Sequence, residues 1–248
     1  MEVRNLTKVF RAEGRTDFTA VDNVSFSLYP GETLGMIGES GSGKSTIARC
    51  IMQLTDATKG SILLDGSEIA VTSPKKRREL YRRIQMVFQS PAGSFDPRRT
   101  LGYSIGESLK NNGFSKAEIQ QRVTDLLRLC GLDTELGSRY PHQVSGGQCQ
   151  RAAIARALAI SPEILLLDEV TSALDVTVQK EIIEFLVQLK DEYQLSYLFI
   201  SHNLALVQSF CDRVIVMKDG KIVEEGTTEA VILSPRQEYT KMLVESCL

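Results

Sequence analysis

The stretch Gly38-Glu39-Ser40-Gly41-Ser42-Gly43-Lys44-Ser45-Thr46 combines residue types and spacing suited to holding phosphate. Gly38 and Gly43-Lys44-Ser45 fall on the spacing G-x-x-x-x-G-K-[ST]. Glycines let the backbone curl so that successive amides point inward at phosphate oxygens, and a helix N-terminus behind the loop adds partial positive charge. On this reading Lys44 reaches the β- and γ-phosphates of ATP, and Ser45 offers its hydroxyl to Mg²⁺.

A second pair of residues completes that chemistry. The apolar run Ile164-Leu165-Leu166-Leu167 ends in Asp168-Glu169. A buried strand delivering two carboxylates at its C-terminal edge puts them where ligands sit in open α/β sheets. Asp168 is then placed to hold Mg²⁺, directly or through water, and Glu169 to polarise an attacking water as a general base. A third feature is Val144-Ser145-Gly146-Gly147-Gln148, at the start of a helical pattern through Arg151, Ile154, Ala155 and Leu158. Ser-Gly-Gly at a helix start is another nest of amides for an anion, although Ser145 also suits an ordinary helix cap. One nucleotide has one γ-phosphate, already cradled by the first loop, so the second nest points to a nucleotide held by another copy or partner.

The elements that must position these groups can be read from periodicity. Val24 to Leu28 alternates apolar and polar as a half-buried strand does, and Pro30-Gly31 marks a turn. Thr33-Leu34-Gly35-Met36-Ile37 reads as a buried strand running directly into the glycine-rich loop, and residues 47–54 continue with helical spacing. Residues 61–71 read as a strand pair turning at Asp65-Gly66, and 84–88 as a strand leading to Gln89. From 90 to about 160 the pattern turns helical, after a loop marked by Pro91, Gly93 and Pro97. A helix over 176–192, a strand Ser196–Ile200 ending at Ser201-His202, and a hairpin through Asp219-Gly220 follow. Alternating strands and helices imply an α/β fold with a parallel core.

Composition sets outer limits. A chain of 248 residues with 42% hydrophobic residues can bury a sizeable core. Its net charge of −2 gives no reason to invoke nucleic acid, and Lys75-Lys76-Arg77-Arg78 with Arg82 and Arg83 reads as a solvated helix face. The five cysteines show no CxxC spacing and no companion histidines, which argues against a zinc site or disulfide framework and for a reducing, cytosolic compartment. The start lacks the apolar core of a signal peptide, and no apolar stretch approaches the roughly 20 residues that span a bilayer. Any work at a membrane is therefore expected to use spanning segments of another chain.

Taken together, these motifs resemble the nucleotide-binding subunit of an ATP-binding cassette (ABC) transporter, in the family's order and over nearly the whole chain. Gly38 to Thr46 matches the Walker A loop, Ile164 to Asp168 the Walker B strand with Glu169 adjoining, and Val144 to Gln148 the signature, with Val where the family usually has Leu. Gln89 resembles the Q-loop glutamine that binds Mg²⁺ and senses the membrane partner. Ser172-Ala173-Leu174-Asp175 resembles the D-loop, and His202 the switch histidine that contacts the γ-phosphate. Phe10 sits where the family stacks an aromatic on adenine, with Val21 as a further apolar contact to the base. Two departures are Val170, where proline is usual, and Cys149 after the signature, expected to be an inert, partly buried thiol.

The resemblance implies a P-loop NTPase, RecA-like mixed sheet core over 1–89 and 160–233 with an antiparallel β subdomain. It also implies an inserted α-helical subdomain over 90–159 and a short tail over 234–248. It implies a head-to-tail dimer in which two ATP molecules are each held between one chain's phosphate loop and the other's signature, with the D-loop Asp175 also at the nucleotide and Mg²⁺ on Ser45, Gln89 and Asp168. It further implies two integral-membrane permease subunits, a second and non-identical ATPase subunit, an extracytoplasmic substrate-binding protein as indirect partner, no nucleic acid, and a place on the cytoplasmic face of the cell membrane. Phe88 to Pro91, Ser94 to Arg98, Asp175 to Gln179, Ser234-Pro235 and Glu238 to Thr240 are similar to stretches of peptide and nickel importers. Cys247 stands without a cysteine cluster, which leans the expectation toward nickel or metallophore uptake over long-tailed dipeptide systems. The competing expectation is a soluble cassette ATPase of translation, DNA repair or chromosome organisation. A phosphoryl-transferring kinase would leave the signature and His202 without a role.

Overall fold

The computed structural model describes residues 1–11, 17–69, 73–172 and 174–246. Cys247 and Ala173, singled out by sequence, lie outside them. In chain order the regular elements begin with β1 (Glu2–Phe10), β2 (Phe18–Ser27), β3 (Thr33–Ile37), α1 (Lys44–Ile51), β4 (Lys59–Leu64), β5 (Ser67–Glu68), α2 (Pro74–Arg83) and β6 (Ile84–Val87). Three helices follow, α3 (Leu101–Asn111), α4 (Lys116–Leu129) and α5 (Gly146–Leu158). The chain then runs through β7 (Ile164–Asp168), α6 (Val176–Tyr193), β8 (Ser196–Ile200), α7 (Leu204–Phe210), β9 (Arg213–Lys218), β10 (Lys221–Thr227), α8 (Thr228–Leu233) and α9 (Glu238–Glu245).

Two sheets result. One is antiparallel in the order β2-β1-β4-β5, and its tight turn uses Asp65 and Gly66 at φ +50° and +75°, the left-handed pair that a two-residue hairpin needs. The other has the order β10-β9-β3-β8-β7-β6. Five of its strands are parallel, and β10 pairs antiparallel at one edge. Strands β3, β7 and β8 are buried at every position, because layers cover both faces of the sheet.

The strict alternation of side chains sorts the sheet into two cores. Ile37, Val87, Leu165, Leu167, Tyr197 and Phe199 face one side, with α3 to α7. Leu34, Met36, Met86, Leu166, Leu198 and Ile200 face the other, with α1 and the antiparallel sheet. The helices inserted between β6 and β7 thus share a core with one face of the sheet. Arg156 of α5 ties in the loop after β6, donating to the Ser94 carbonyl at 2.6 Å and hydroxyl at 2.8 Å while lying 4.3 Å from the Phe95 ring. Helix α2 buries only Leu80, and Lys75 to Arg78 and Arg82 form a solvated face, whereas Arg83 is half-buried and paired with Asp65 and Glu163. No helix among the described residues is long and apolar enough to cross a membrane.

Register fixes what emerges at the C-terminal edge. Met36 of β3 and Asp168 of β7 both pair with Ile200 of β8, and Val87 of β6 pairs with Leu167. The segments following four neighbouring strands therefore leave the sheet at one level. They carry the glycine-rich loop, Gln89, Glu169 and His202.

Candidate functional site

These segments enclose a cavity of about 600 Å³ lined by Gly38, Ser40, Gly41, Gly43, Lys44, Ser45, Thr46, Gln89, Glu169 and His202, with Phe10, Phe18 and Ala20 at one side. The loop's shape depends on two glycines. Gly38 has φ +140°, and a Cβ there would stand 2.1 Å from the Met217 carbonyl oxygen. Gly43, the cap residue of α1, has φ +105°, and its Cβ would stand 2.3 Å from the Ala20 carbonyl oxygen. Any side chain at either position would push the loop off β9 or β2.

Lys44 is buried, and its Nζ donates to the carbonyls of Gly38 and Glu39, each at 2.8 Å, and to the Ser42 hydroxyl at 3.1 Å. Desolvation lowers its pKa below the usual lysine value, against the opposing pull of Glu169, Asp168 and Glu39. Ser45 Oγ donates to Asp168 Oδ1 at 2.9 Å. Burial pushes the Asp168 carboxyl up; the Ser45 hydrogen bond opposes that, and the neighbouring Glu169 charge adds to it.

Glu169 has φ +49°, and its backbone N–H donates to the Ile200 carbonyl at 2.9 Å. Its side chain lies between two others: Gln89 Nε2 donates to Oε2 at 2.6 Å, and His202 Nδ1 stands 3.7 Å from Oε1. The carboxylate is thus hydrogen-bonded by Gln89 and flanked by His202 at the mouth of the phosphate loop.

The oxygen-rich set fits Mg²⁺. Ser45, Gln89 and Asp168 line one adjoining cavity, and Ser45 and Asp168 are already in contact. No cluster of three or more His, Cys, Asp or Glu suited to a metal occurs among the described residues. A cation held here would rest on few protein oxygens and complete its shell with phosphate and water, as Mg²⁺ does.

Not every expected residue enters the cavity. Ser145 to Gln148 stand elsewhere, exposed or half-buried, at the start of α5. Ser145 and Gln148 form a reciprocal cap, Gln148 N–H donating to the Ser145 hydroxyl at 3.2 Å and Ser145 N–H to the Gln148 side chain at 3.0 Å. Asp175 is exposed and accepts the Val178 N–H at 3.0 Å, capping α6; its neighbours Leu174 and Val178 lie against Gly146 and Gly147. Val21, expected against the base, is instead fully buried in the core; Ala20 lines the cavity in its place. Val170 fills the core at 1% exposure, and Cys149 is almost wholly buried, with burial raising its thiol pKa.

Phe18 is the residue sequence reasoning missed. It pairs directly with Phe10 across β1 and β2, and the two rings are 59% and 43% exposed at the cavity's edge. Two apolar rings left in solvent beside a polar phosphate cradle provide a flat surface for a planar group. Lys8 Nζ lies 4.9 Å from the Phe10 ring.

A family model described as ABC transporter matches residues 21–172. Over 226 residues the chain is 47% identical to the glutathione import ATP-binding protein GsiA of Salmonella choleraesuis, covering 91% of this chain and 36% of that protein. Over 251 residues it is 46% identical to the oligopeptide transport ATP-binding protein OppD of Mycobacterium tuberculosis, covering 98% of this chain and 41% of that protein. The chain therefore spans about two fifths of the length of these relatives or less. Among solved structures, the dimeric ATP-binding cassette MJ0796 in a post-hydrolysis state with ADP and phosphate superposes with a TM-score of 0.83 at 30% identity, over 92% of this chain and 98% of that one. The cbiO1 protein of Clostridium perfringens, part of the ABC transporter complex cbiONQ, gives 0.82 at 28% identity, over 94% and 90%.

Proposed function

Since the chain belongs to the ABC transporter family, we propose that it is an ATP-hydrolysing subunit energising an importer of peptides or metal chelates. The observation that carries this reading is the Glu169 carboxylate, hydrogen-bonded by Gln89 and flanked by His202 at the mouth of the cavity lined by Lys44 and Ser45. A nucleotide-binding protein that does not hydrolyse has no need of a carboxylate so placed.

The roles follow from the chemistry. The loop from Gly38 to Thr46 cradles the β- and γ-phosphates with its amides, and Lys44 supplies a positive charge beside them. Phe10 and Phe18 offer the adenine a stacking surface. Ser45, Asp168 and Gln89 would hold Mg²⁺, which when bound would neutralise charge developing on the phosphates. Glu169 orients and deprotonates the attacking water, and His202 hydrogen-bonds the γ-phosphate from the next strand end. Because Gln89 touches Glu169, a displacement of the loop after β6 moves the base with it.

The site is half complete in one chain. The exposed nest of Ser145, Gly146 and Gly147, with Asp175 beside it, caps the nucleotide of a second cassette, and that cassette's nest caps this one. Two ATP molecules thus close a head-to-tail dimer, and hydrolysis reopens it. The spanning part belongs to two permease subunits contacted from the cytoplasmic face of the membrane, with an extracytoplasmic binding protein choosing the cargo. The names of the similar glutathione and oligopeptide proteins support a peptide as that cargo.

Two measurements test the reading together: Mg²⁺-dependent phosphate release from ATP, and affinity capture of the native complex from membranes. Co-purification with integral-membrane subunits is expected. Enrichment with ribosomes or DNA would replace transport with a soluble cassette role.

A further inference from the structure

The phosphate loop is also held from the far end of the chain. The Glu39 N–H donates to the hydroxyl of Tyr239 at 3.2 Å, a contact spanning 200 positions. The same peptide unit is fixed at its other end, where the Gly38 carbonyl accepts from Lys44 Nζ at 2.8 Å. Its orientation is thus set on one side by the lysine and on the other by the tyrosine. The Tyr239 ring is held in turn, with Lys218 Nζ 4.7 Å from its centroid. Lys218 follows Met217, whose carbonyl leaves no room for a side chain at Gly38.

The helix carrying Tyr239 is docked independently of the loop. Thr240 and Val244 of α9 are buried, and Tyr239 and Leu243 pack against the larger core. At the helix start, the Glu224 carboxylate of β10 accepts the N–H groups of Arg236 at 2.8 Å and Gln237 at 3.1 Å. One hydroxyl therefore joins the phosphate cradle to a helix anchored on β10.

We propose that Tyr239 is a positioning residue of the phosphate loop, through which docking of the C-terminal helix α9 and nucleotide binding strengthen each other. This rests on the ATP reading above. Tyr239 holds the Gly38–Glu39 peptide in the orientation from which the following amides face the phosphates, and it does not itself touch them. By linkage, whatever factor docked α9 contributes to ATP affinity, ATP returns to the docking of α9. A partner that lifts α9 would weaken nucleotide binding without entering the site.

The test uses the full chain and fluorescent ATP and ADP. Tyr239→Phe removes only the hydroxyl and leaves the ring beside Lys218. Its Kd for ATP is expected to rise about three- to ten-fold, the range for loss of one neutral hydrogen bond, with an unchanged melting temperature. ATP should slow amide exchange across 238–245 in the unsubstituted chain and fail to do so in Tyr239→Phe. Glu224→Ala, which frees the amides at the start of α9 without touching the loop, should raise the Kd in the same direction. Normal affinity in either variant, beside a normal Kd for the unsubstituted chain, overturns the coupling alone; absence of nucleotide binding by the unsubstituted chain overturns the ATP reading with it.

Discussion

Replacing Glu169 by Gln isolates the proposed base from everything else the residue does. The backbone at φ +49° is held by its N–H on the Ile200 carbonyl, a bond the substitution leaves in place. Gln has the same shape, and its amide oxygen can still accept from Gln89, which now stands 2.6 Å from Oε2. What disappears is the charge and the basicity. Exchanging a charge-assisted hydrogen bond for a neutral one costs about 1 kcal/mol. Relief of repulsion with Asp168, whose carboxyl the Glu169 charge helps to push up, offsets part of that. Stability and ATP affinity should therefore change little, with Kd within about three-fold. Loss of general-base catalysis lowers turnover about 10²- to 10⁴-fold, or about 3–5 kcal/mol in the barrier. Single-turnover hydrolysis of radiolabelled ATP, with equilibrium binding on the same preparation, separates the two effects. With a second cassette present, the variant should accumulate as a closed, ATP-loaded dimer. Turnover within about three-fold of the unsubstituted protein would refute Glu169 as the base.

Other consequences follow from the same geometry. Gly38→Ala places a Cβ 2.1 Å from the Met217 carbonyl oxygen at φ +140°; strain of about 1–3 kcal/mol from backbone alone, with the clash added, should abolish ATP binding, and a normal Kd would contradict the loop geometry. Asp168 has its carboxyl raised by burial, so its favourable contribution is present below the unfolded-state value and is lost as pH rises through the folded one. Asp168→Asn should accordingly melt higher than the unsubstituted chain near neutral pH without nucleotide, while losing the extra stabilisation by Mg²⁺ and ATP; a lower melting temperature would reverse that sign. Cys50, Cys130, Cys149 and Cys211 are all buried, and burial raises each thiol, Cys130 to about 12. None of these four should be alkylated at pH 8 in the folded protein, and peptide mapping that finds label on any of them would show that they open to solvent.

Much of this site was legible in the sequence because parallel strands buried on both faces read as unbroken apolar runs. Leu165 to Leu167 and Tyr197 to Ile200 announce themselves that way, and the polar residues after each run must then lie at the sheet's C-terminal edge. That places Asp168, Glu169 and His202 together without knowledge of side-chain detail. The edge of the antiparallel sheet was less legible. Register shifts interrupt the pairing of β1 with β2 between Leu6 and Lys8 and again between Lys8 and Val9, so counting by twos no longer says which side chain faces the cavity. Val21, expected beside the base from the family resemblance alone, turns into the core, and Phe18 takes a place at the cavity edge that no spacing rule marks. The bond from Tyr239 to Glu39 could not be read at all, since nothing local in either segment encodes a contact between a helix and a loop at opposite ends of the chain.

The proposed phosphate loop binds ATP within one chain and hydrolyses it only beneath the amide nest of another. Serial dilution of the purified chain, with ATP binding and phosphate release measured on each sample, tests this directly. ATP bound per chain should stay constant, while phosphate released per chain falls toward zero on dilution and rises on adding a second cassette. Turnover per chain that is high and unchanged down to the lowest concentration, with no other cassette present, would contradict it.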